Sequence, residues 1–181
     1  MRAIFLDRDG VINKYPGDTK YVTSLKGFRF LPEAKLAIAR LYKNKFKLFI
    51  VSNQAGVGKG LFTQAALGII TKKMLSGIKA AGGRIEAVYY CTHRKDEGCR
   101  CRKPRAGLIK NIKRAYPEIN LRNSFFIGDT IRDVHTARAA GCKSILVLCG
   151  KEKLSNRKNW EVQPDFIFSN LMHAAGFILT I

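Results

Sequence analysis

The sequence predicts an α/β fold, in which a Rossmann-like parallel sheet carries helices on both faces. Short β-rich apolar runs recur along the chain, and each is followed by a segment with helical period. This alternation is typical of βαβ units built around a parallel sheet. With 181 residues, of which 46% are hydrophobic, the chain can bury one sizeable core and is short for two. We therefore expect a single domain over residues 1–181.

Six apolar runs are the strand candidates. They are Ala3 to Asp7, Phe46 to Ser52, Ala87 to Cys91, Ser124 to Asp129, Ser144 to Cys149 and Asp165 to Phe168. Several end in a chemically useful side chain, notably Asp7, Ser52, Cys91 and Asp129. In an open α/β sheet the carboxyl ends of the strands border the ligand crevice. We therefore expect these four side chains to converge at one edge of the sheet.

Two helices are clearly marked between the strand candidates. Pro32 fits the first turn of one helix, which continues with a broad apolar stripe. That stripe consists of Ala34, Leu36, Ala37, Ile38 and Leu41. Thr63 is placed to cap a longer helix that ends at Gly82 and Gly83. The apolar positions of this second helix are Leu67, Ile70, Met74 and Ile78.

Positive charge dominates the composition. Lys and Arg number 33 against 13 Asp and Glu, which gives a formal net charge of +20. Such a balance favours anionic partners: phosphorylated metabolites, nucleic acid or acidic lipid surfaces. The charge is spread along the chain and forms no basic tail. It therefore bears on association and not on the fold.

The sequence carries no mark of export or of a membrane span. Its first residues contain no long apolar stretch and no small-residue cleavage site. No window approaches the roughly 20 apolar residues that a membrane span needs. Five cysteines, an odd number and mostly clustered, suit a reducing compartment better than a disulfide framework. We expect a cytoplasmic protein with no membrane partner.

Acidic and polar side chains follow the predicted strands. The segment Phe5 to Asn13, FLDRDGVIN, places Asp7 and Asp9 at a strand end, where Gly10 allows a sharp turn. Asp-x-Asp-Gly also occurs in calcium loops, but the further acids of such a loop are missing here. Ser52 alone fits a helix cap or a turn as well as a phosphate contact. The remaining candidates are Lys103, Asp129 and Asp133.

Three of the five cysteines lie in one short segment. Cys91, His93, Cys99 and Cys101 supply four soft or borderline ligands, enough to close a tetrahedral zinc site over residues 91–101. The spacing differs from that of a zinc finger, so spacing alone leaves a zinc site and a redox loop as alternatives. The C-x-x-C spacing of thioredoxin-like motifs is absent, which disfavours the redox loop. The other two cysteines, in or beside apolar segments, are expected to be core thiols.

Taken together, these segments resemble the four motifs of the haloacid dehalogenase superfamily of phosphotransferases, from Asp7 to about Gly150. Within the superfamily, five segments are similar to those of the D-glycero-D-manno-heptose-1,7-bisphosphate 7-phosphatases. They are DRDGVIN, SNQAGVGKGLFT, the cysteine segment, CRKPRAG and GDTIRDVHTARAAG. The related histidinol-phosphate phosphatases share the cysteine segment and CRKP. They usually differ in the turn after the Asn-Gln pair, which favours the heptose family.

The resemblance implies a mechanism. Asp7 is the expected nucleophile, which forms an aspartyl phosphate, and Asp9 is the expected general acid and base. Mg²⁺ would be held by Asp7, by the backbone carbonyl of Asp9 and by Asp129. Ser52 and Lys103 would stabilise the charge on the transferred phosphoryl group.

The resemblance also assigns supporting roles. The expected substrate-binding residues are Asn53, Gln54, Arg102 and Thr130. The four-ligand zinc site would be structural, because no coordination position is left open, and would stiffen the loop that delivers Arg102 and Lys103. Asp133 is expected to orient water or Lys103 and not to bind the metal directly.

We therefore expect a Mg²⁺-dependent phosphatase that removes the 7-phosphate of the heptose bisphosphate. Only 44 residues separate Asp7 from Ser52, and 50 separate Ser52 from Lys103, so no cap domain is expected between them. Short loops, such as residues 14–21, should roof the site. The alternatives are a histidinol-phosphate phosphatase or, from charge alone, a nucleic-acid-binding or end-processing phosphatase. The expected partner is a small phosphorylated sugar, not nucleic acid, and the expected state is a monomer.

Overall fold

The computed structural model describes residues 1–181 and contains one six-stranded sheet. The strands are β1 (Ala3–Leu6), β2 (Lys47–Asn53), β3 (Ala87–Cys91), β4 (Phe125–Gly128), β5 (Lys143–Val147) and β6 (Phe166–Phe168). Their order is β3-β2-β1-β4-β5-β6, and every neighbouring pair is parallel. This is a doubly wound order whose winding reverses between β1 and β4. The predicted fold class is confirmed, with some strand ends shifted by one or two residues.

Helices cover both faces of the sheet. They are α1 (Ala34–Lys43), α2 (Gln64–Ala80), α3 (Gly107–Ala115), α4 (Ile131–Ala140) and α5 (Leu171–Ile178). α1, α2 and α5 share a core of 24 buried residues, and α3 and α4 contribute to a second core of 12. Successive residues of β1 alternate between these cores, because side chains along a strand point to opposite faces. None of the helices combines the length and hydropathy that crossing a bilayer requires.

The first predicted helix differs in two details. It begins at Ala34 and not in the turn at Pro32, because Glu33 adopts a left-handed conformation with φ of 57°. Leu36, which the sequence predicts in the apolar stripe, is 55% exposed. The helix already buries Ala34, Ala37, Ile38 and Leu41, whose spacing defines one face, and Leu36 falls outside that face.

The second predicted helix agrees with the structure. The Thr63 hydroxyl accepts a hydrogen bond from the Ala66 amide at 3.1 Å and caps α2. All four predicted apolar positions of α2 are buried. Between β1 and β2 lie only a 3₁₀ turn (Leu25–Gly27) and α1, and between β2 and β3 only α2. The carboxyl edge of the sheet is therefore covered by loops, as expected, and not by an inserted cap domain.

Candidate active site

The reversal of winding brings the ends of β1 and β4 side by side. The amide of Asp7 donates to the carbonyl of Ile127 at 3.0 Å, so Asp7 follows β1 directly opposite the end of β4. Oxygen atoms of Asp7, Asp129 and Asp133 all lie within 4.8 Å of one another. Lys103 Nζ lies 2.8 Å from Asp7 Oδ2 and 2.6 Å from Asp133 Oδ1. Side chains from three separate segments thus form one buried cluster.

The electrostatics of this cluster are unbalanced. Burial, followed by the charges of Asp7 and Asp133, raises the pKa of Asp129 well above its usual value. Burial also raises the pKa of Asp133, although the neighbouring Lys103 opposes that shift. For Lys103, burial acts to lower the pKa, but the carboxylates of Asp133 and Asp7 outweigh it and the pKa is raised. One ammonium faces three carboxylates, so the cluster is suited to a hard divalent cation with oxygen ligands.

Asp9 lies beside the cluster and is held by three side chains. Arg8 donates to both of its carboxylate oxygens at 2.9 to 3.2 Å, and Asn13 Nδ2 donates to Oδ1 at 2.8 Å. Gln54 Nε2 donates to Oδ2 at 2.9 Å and also to Ser52 Oγ at 3.1 Å. Arg8, Asn13 and Gln54 are each 0% exposed. The orientation of Asp9 is therefore fixed from the protein interior.

Gln54 does not line the cleft. It was predicted to bind substrate, but its side chain is fully buried and contacts Asp9 and Ser52. Gln54 is therefore placed to orient the side chains of Asp9 and Ser52.

Asn53 and Thr130 position other members of the site while lining the cleft. Asn53 Oδ1 accepts a hydrogen bond from the Lys103 amide at 3.1 Å, and Asn53 Nδ2 donates to the Lys103 carbonyl at 3.2 Å. This pair fixes the backbone of the RKP segment to the end of β2. The Thr130 hydroxyl donates to Asp133 Oδ2 at 2.7 Å in a capping box at the start of α4. Ser52 and Arg102 line the same cleft.

The cleft above the cluster has a volume of about 420 Å³. Its floor holds Asp7, Asp9 and Asp129, and its rim is basic. The rim cations are Lys20, Lys59, Arg102, Arg132 and Lys151. Of these five cations, only Arg102 is expected at the site from the sequence.

The loop of residues 14–21 roofs the cleft and is tied to its far side. Asp18 Oδ1 accepts a hydrogen bond from the Tyr15 hydroxyl at 2.6 Å and lies 2.6 Å from Lys151 Nζ. The hydrogen bonds from Lys151 and Tyr15 lower the pKa of Asp18. The amide of Lys151 donates to Asp129 Oδ2 at 2.8 Å, so one residue contacts both the roof and the acidic cluster. Asp18 is the one acid of the cleft lining that lies away from the floor.

The cysteine segment forms a second compact cluster. Cys91 Sγ lies 3.6 Å from Cys99 Sγ and 3.7 Å from His93 Nδ1. Cys101 Sγ lies 3.5 Å from Cys99 Sγ and 3.3 Å from His93 Nδ1. Burial, followed by hydrogen bonding with Cys101, raises the pKa of Cys91 to about 12. The polypeptide continues directly from this cluster into Arg102 and Lys103.

Comparison with known proteins places the chain among phosphatases. A family model described as HAD-hydrolase-like matches residues 100–174. The D-glycero-beta-D-manno-heptose-1,7-bisphosphate 7-phosphatase of Bordetella bronchiseptica is 38% identical over 83% of this chain and 82% of its own. That of Neisseria meningitidis is 31% identical over 99% of this chain and 95% of its own. The chain belongs to the heptose-1,7-bisphosphate 7-phosphatase family of HAD-like hydrolases.

A solved structure agrees with this assignment across the whole fold. The crystal structure of the D,D-heptose 1,7-bisphosphate phosphatase from B. bronchiseptica, complexed with magnesium and phosphate, superposes with a TM-score of 0.93. It is 34% identical, and the superposition covers 99% of each chain. The predicted resemblance to the heptose bisphosphate phosphatase family is confirmed.

Several residues that contact the site side chains have little or no signal in the sequence. Arg8 is a fully buried cation, and the only sequence signal for it was its place between two acids in an apolar segment. Asn13 belongs to the DRDGVIN segment, but the sequence marks neither Asn13 as a neighbour of Asp9 nor Lys151 as a neighbour of Asp129. Two cysteines are expected in the core. Cys142 lies there and is 7% exposed. Cys149 is only half-buried, and its Sγ donates a hydrogen bond to the Gly10 carbonyl at 3.2 Å.

Proposed function

We propose that the protein is a Mg²⁺-dependent phosphatase that hydrolyses the 7-phosphate of D-glycero-D-manno-heptose 1,7-bisphosphate through an aspartyl phosphate. The observation that carries the proposal is the convergence of Asp7, Lys103, Asp129 and Asp133 at the floor of a cleft with a cationic rim. Family membership supplies the reaction class, and the chemistry of the cleft supports the substrate class.

Asp7 is the proposed nucleophile. Its amide is anchored to β4, and its Oδ1 accepts a hydrogen bond from the Arg8 amide at 2.7 Å, so the carboxylate is oriented before substrate arrives. A carboxylate that attacks phosphorus gives a mixed anhydride, which water then cleaves, so one difficult displacement becomes two easier ones. Lys103 would neutralise charge on the phosphoryl oxygens beside Asp7, with Ser52 as a second donor.

Asp9 is the proposed general acid and base. Its carboxylate would protonate the leaving sugar oxygen and later accept a proton from the attacking water. Arg8, Asn13 and Gln54 would hold the carboxylate towards the cleft floor during both steps. Arg102 and Thr130, which line the cleft, are the proposed substrate contacts.

The acidic cluster fits a magnesium ion. Asp7 and Asp129 would hold it together with the backbone carbonyl of Asp9, while Asp133 is paired with Lys103 and would orient that ammonium. When bound, Mg²⁺ would offset the repulsion between the anionic nucleophile and the anionic phosphate. Burial, followed by the charges of Asp7 and Asp133, raises the pKa of Asp129, and a bound divalent cation would oppose that shift.

The rim favours a bisphosphate over histidinol phosphate. Five cations surround a cleft whose floor needs only one phosphate, so a second anionic group has partners available. Histidinol phosphate has no second anionic group: it carries an ammonium on the carbon next to its phosphoester carbon and an imidazole at the far end. The ammonium would need an acidic partner away from the cleft floor. Asp18 is the only such acid, and Lys151 already pairs with it. The nucleic-acid alternative is not favoured, because the relatives of this chain are heptose bisphosphate phosphatases and only its net charge points to nucleic acid.

Zn²⁺ is the proposed occupant of the cysteine cluster. With zinc–sulfur bonds of about 2.3 Å, the sulfur atoms of a tetrahedral site lie about 3.8 Å apart. The sulfur–sulfur separations of 3.5 and 3.6 Å are close to this value. Four protein ligands leave no open position, so the ion would be structural. Reduced thiols of this kind support the expected cytoplasmic location, and a monomer stays the expected state.

Parallel assays test the proposal. Phosphate release from the heptose bisphosphate and from histidinol phosphate is measured with and without Mg²⁺, for the wild type and for Asp7→Asn. Turnover of the bisphosphate that needs both Mg²⁺ and Asp7, with histidinol phosphate at least about a hundredfold poorer in kcat/KM, is expected. Preference for histidinol phosphate would overturn the substrate assignment, and full activity of the Asp7→Asn protein would overturn the mechanism.

A further inference from the structure

One long segment of the chain contains many basic residues and no acidic ones. Residues 34–85, which form α1, β2 and α2, contain ten Lys and Arg and not one Asp or Glu. The nearest acids along the chain are Glu33 and Glu86, at the two borders of this segment. The only ion pairs made by the segment are those of Lys47 and Arg84 with Glu86.

The two helices of this segment lie side by side on one face of the sheet and expose their cations. Six Lys and Arg lie on α1 and α2, all are exposed and none has a carboxylate partner. They are Lys35, Arg40, Lys43, Lys72, Lys73 and Lys79. We call this the α1–α2 face.

The same part of the molecule exposes large apolar side chains. Eight such side chains are exposed in the whole chain, and five lie in α1 or α2 or in the turns that precede them. These are Leu25, Leu36, Tyr42, Leu61 and Ile69, with exposed fractions of 40 to 55%. None of the eight lies on α3 or α4, the helices of the opposite face.

The opposite face is also basic, but its helices α3 and α4 expose no large apolar side chain and acids lie beside them. Glu118 follows α3, and Glu161 contacts His135 of α4 at 3.3 Å. Among the helices that cover the sheet, only α1 and α2 therefore combine uncompensated cations with protruding apolar side chains. Neither the catalytic cluster nor the zinc ligands use this combination.

We propose that the α1–α2 face adsorbs reversibly to the surface of an anionic lipid bilayer. Lysine and arginine near such a surface are attracted to the anionic headgroups, and the attraction fades within a Debye length, so only cations on the facing side contribute. Protruding Leu36 and Ile69 would enter the boundary between headgroups and acyl chains, which an interfacial surface of this composition favours. Adsorption of this kind needs no membrane-spanning helix.

A nucleic acid would use the cations but not the aliphatic side chains. Phosphate contacts account for salt-dependent binding to nucleic acid, and stacking there requires aromatic rings, not leucine or isoleucine. The two partner classes therefore respond differently to removal of Leu36 and Ile69. This difference provides the test.

The first experiment compares two charge-reversal variants with the same change in net charge. Lys72→Glu/Lys73→Glu/Lys79→Glu alters the α1–α2 face, and Lys110→Glu/Arg114→Glu/Arg122→Glu alters exposed cations elsewhere. Sedimentation with vesicles of equal phosphatidylglycerol and phosphatidylcholine measures binding. We expect the first variant to bind at least about tenfold more weakly than the wild type and the second to lose less than about threefold. Equal losses, or no binding of wild type to these vesicles, would overturn the proposal.

The second experiment separates the bilayer from nucleic acid. Leu36→Gln/Ile69→Gln should weaken vesicle binding several-fold and leave binding of a single-stranded oligonucleotide unchanged. Unchanged vesicle binding in this variant would contradict the proposal. Thermal unfolding of each variant controls for folding, since all the altered side chains are exposed. The binding assay does not involve catalysis, so its outcome is independent of the proposed phosphatase activity.

Discussion

Gly150 lies so close to Asp129 that position 150 has no room for a side chain. A Cβ atom on Gly150 would lie 2.2 Å from Asp129 Oδ2 and 2.4 Å from Asp129 Cβ. Rotation of the carboxylate cannot relieve the contact, because the Asp129 Cβ is fixed by the backbone. The absence of a side chain at Gly150 therefore sets the position of a proposed magnesium ligand.

Replacement of Gly150 by alanine should damage the site more than the fold. Asp129 or the 150–151 backbone must shift, which should cost about 1 to 3 kcal/mol of unfolding free energy. A displacement of this size at a metal carboxylate should lower kcat by about 10²-fold and raise the Mg²⁺ concentration needed for half-maximal activity. Phosphatase assays over a Mg²⁺ series, run well below the unfolding temperature, measure both effects.

Gly68→Ala is the matched control. Gly68 lies within α2, and a Cβ there would meet no heavy atom within 4 Å. Alanine should stabilise the helix by up to about 1 kcal/mol and leave kcat unchanged. A Gly150→Ala enzyme with wild-type magnesium dependence would disprove the spatial role assigned to this glycine.

The fold and the floor of the site were predictable because they depend on local pattern and on topology. Asp7 and Asp129 each follow an apolar strand, and parallel strands must place such residues at one edge. Thr63 was identifiable as a cap because the signal lies within four residues of sequence.

The residues that hold the site from within were not predictable in the same way. Gln54 looks like a substrate ligand beside Asn53, and only the packed structure turns it towards Asp9. Arg8 violates the rule that arginine stays exposed, and it does so because Asp9 compensates its charge in the interior. Lys151 reaches Asp129 from 22 residues away, a pairing that no local period encodes.

Removal of the proposed zinc should lower both stability and activity. Elemental analysis should find one zinc per chain in the wild type and in Asp7→Asn, and none in Cys101→Ser. Because Arg102 and Lys103 follow Cys101 directly, loss of the ion should loosen the segment that carries Lys103 to Asp7. We expect kcat to fall at least about tenfold, with no recovery when Mg²⁺ is added in excess.

Cys142→Ala, outside the cluster, should keep its zinc. Full activity of a zinc-free Cys101→Ser enzyme would contradict the role.

Cys142 should make the stability of the protein depend on pH in the alkaline range. Burial raises the pKa of this thiol from 9.0 to about 12, so the folded state keeps a proton that the unfolded state loses. A raised acid pKa contributes stability that is present below pH 9 and is lost as the pH rises towards 12. Between pH 8 and pH 10.5 the wild type should lose about 2 kcal/mol more than Cys142→Ala. Urea unfolding of both proteins at the two pH values gives the difference.

Ile109→Val, in the same core and without a titratable group, should show a destabilisation independent of pH. A constant difference between the wild type and Cys142→Ala would show that the folded thiol ionises as readily as the unfolded one.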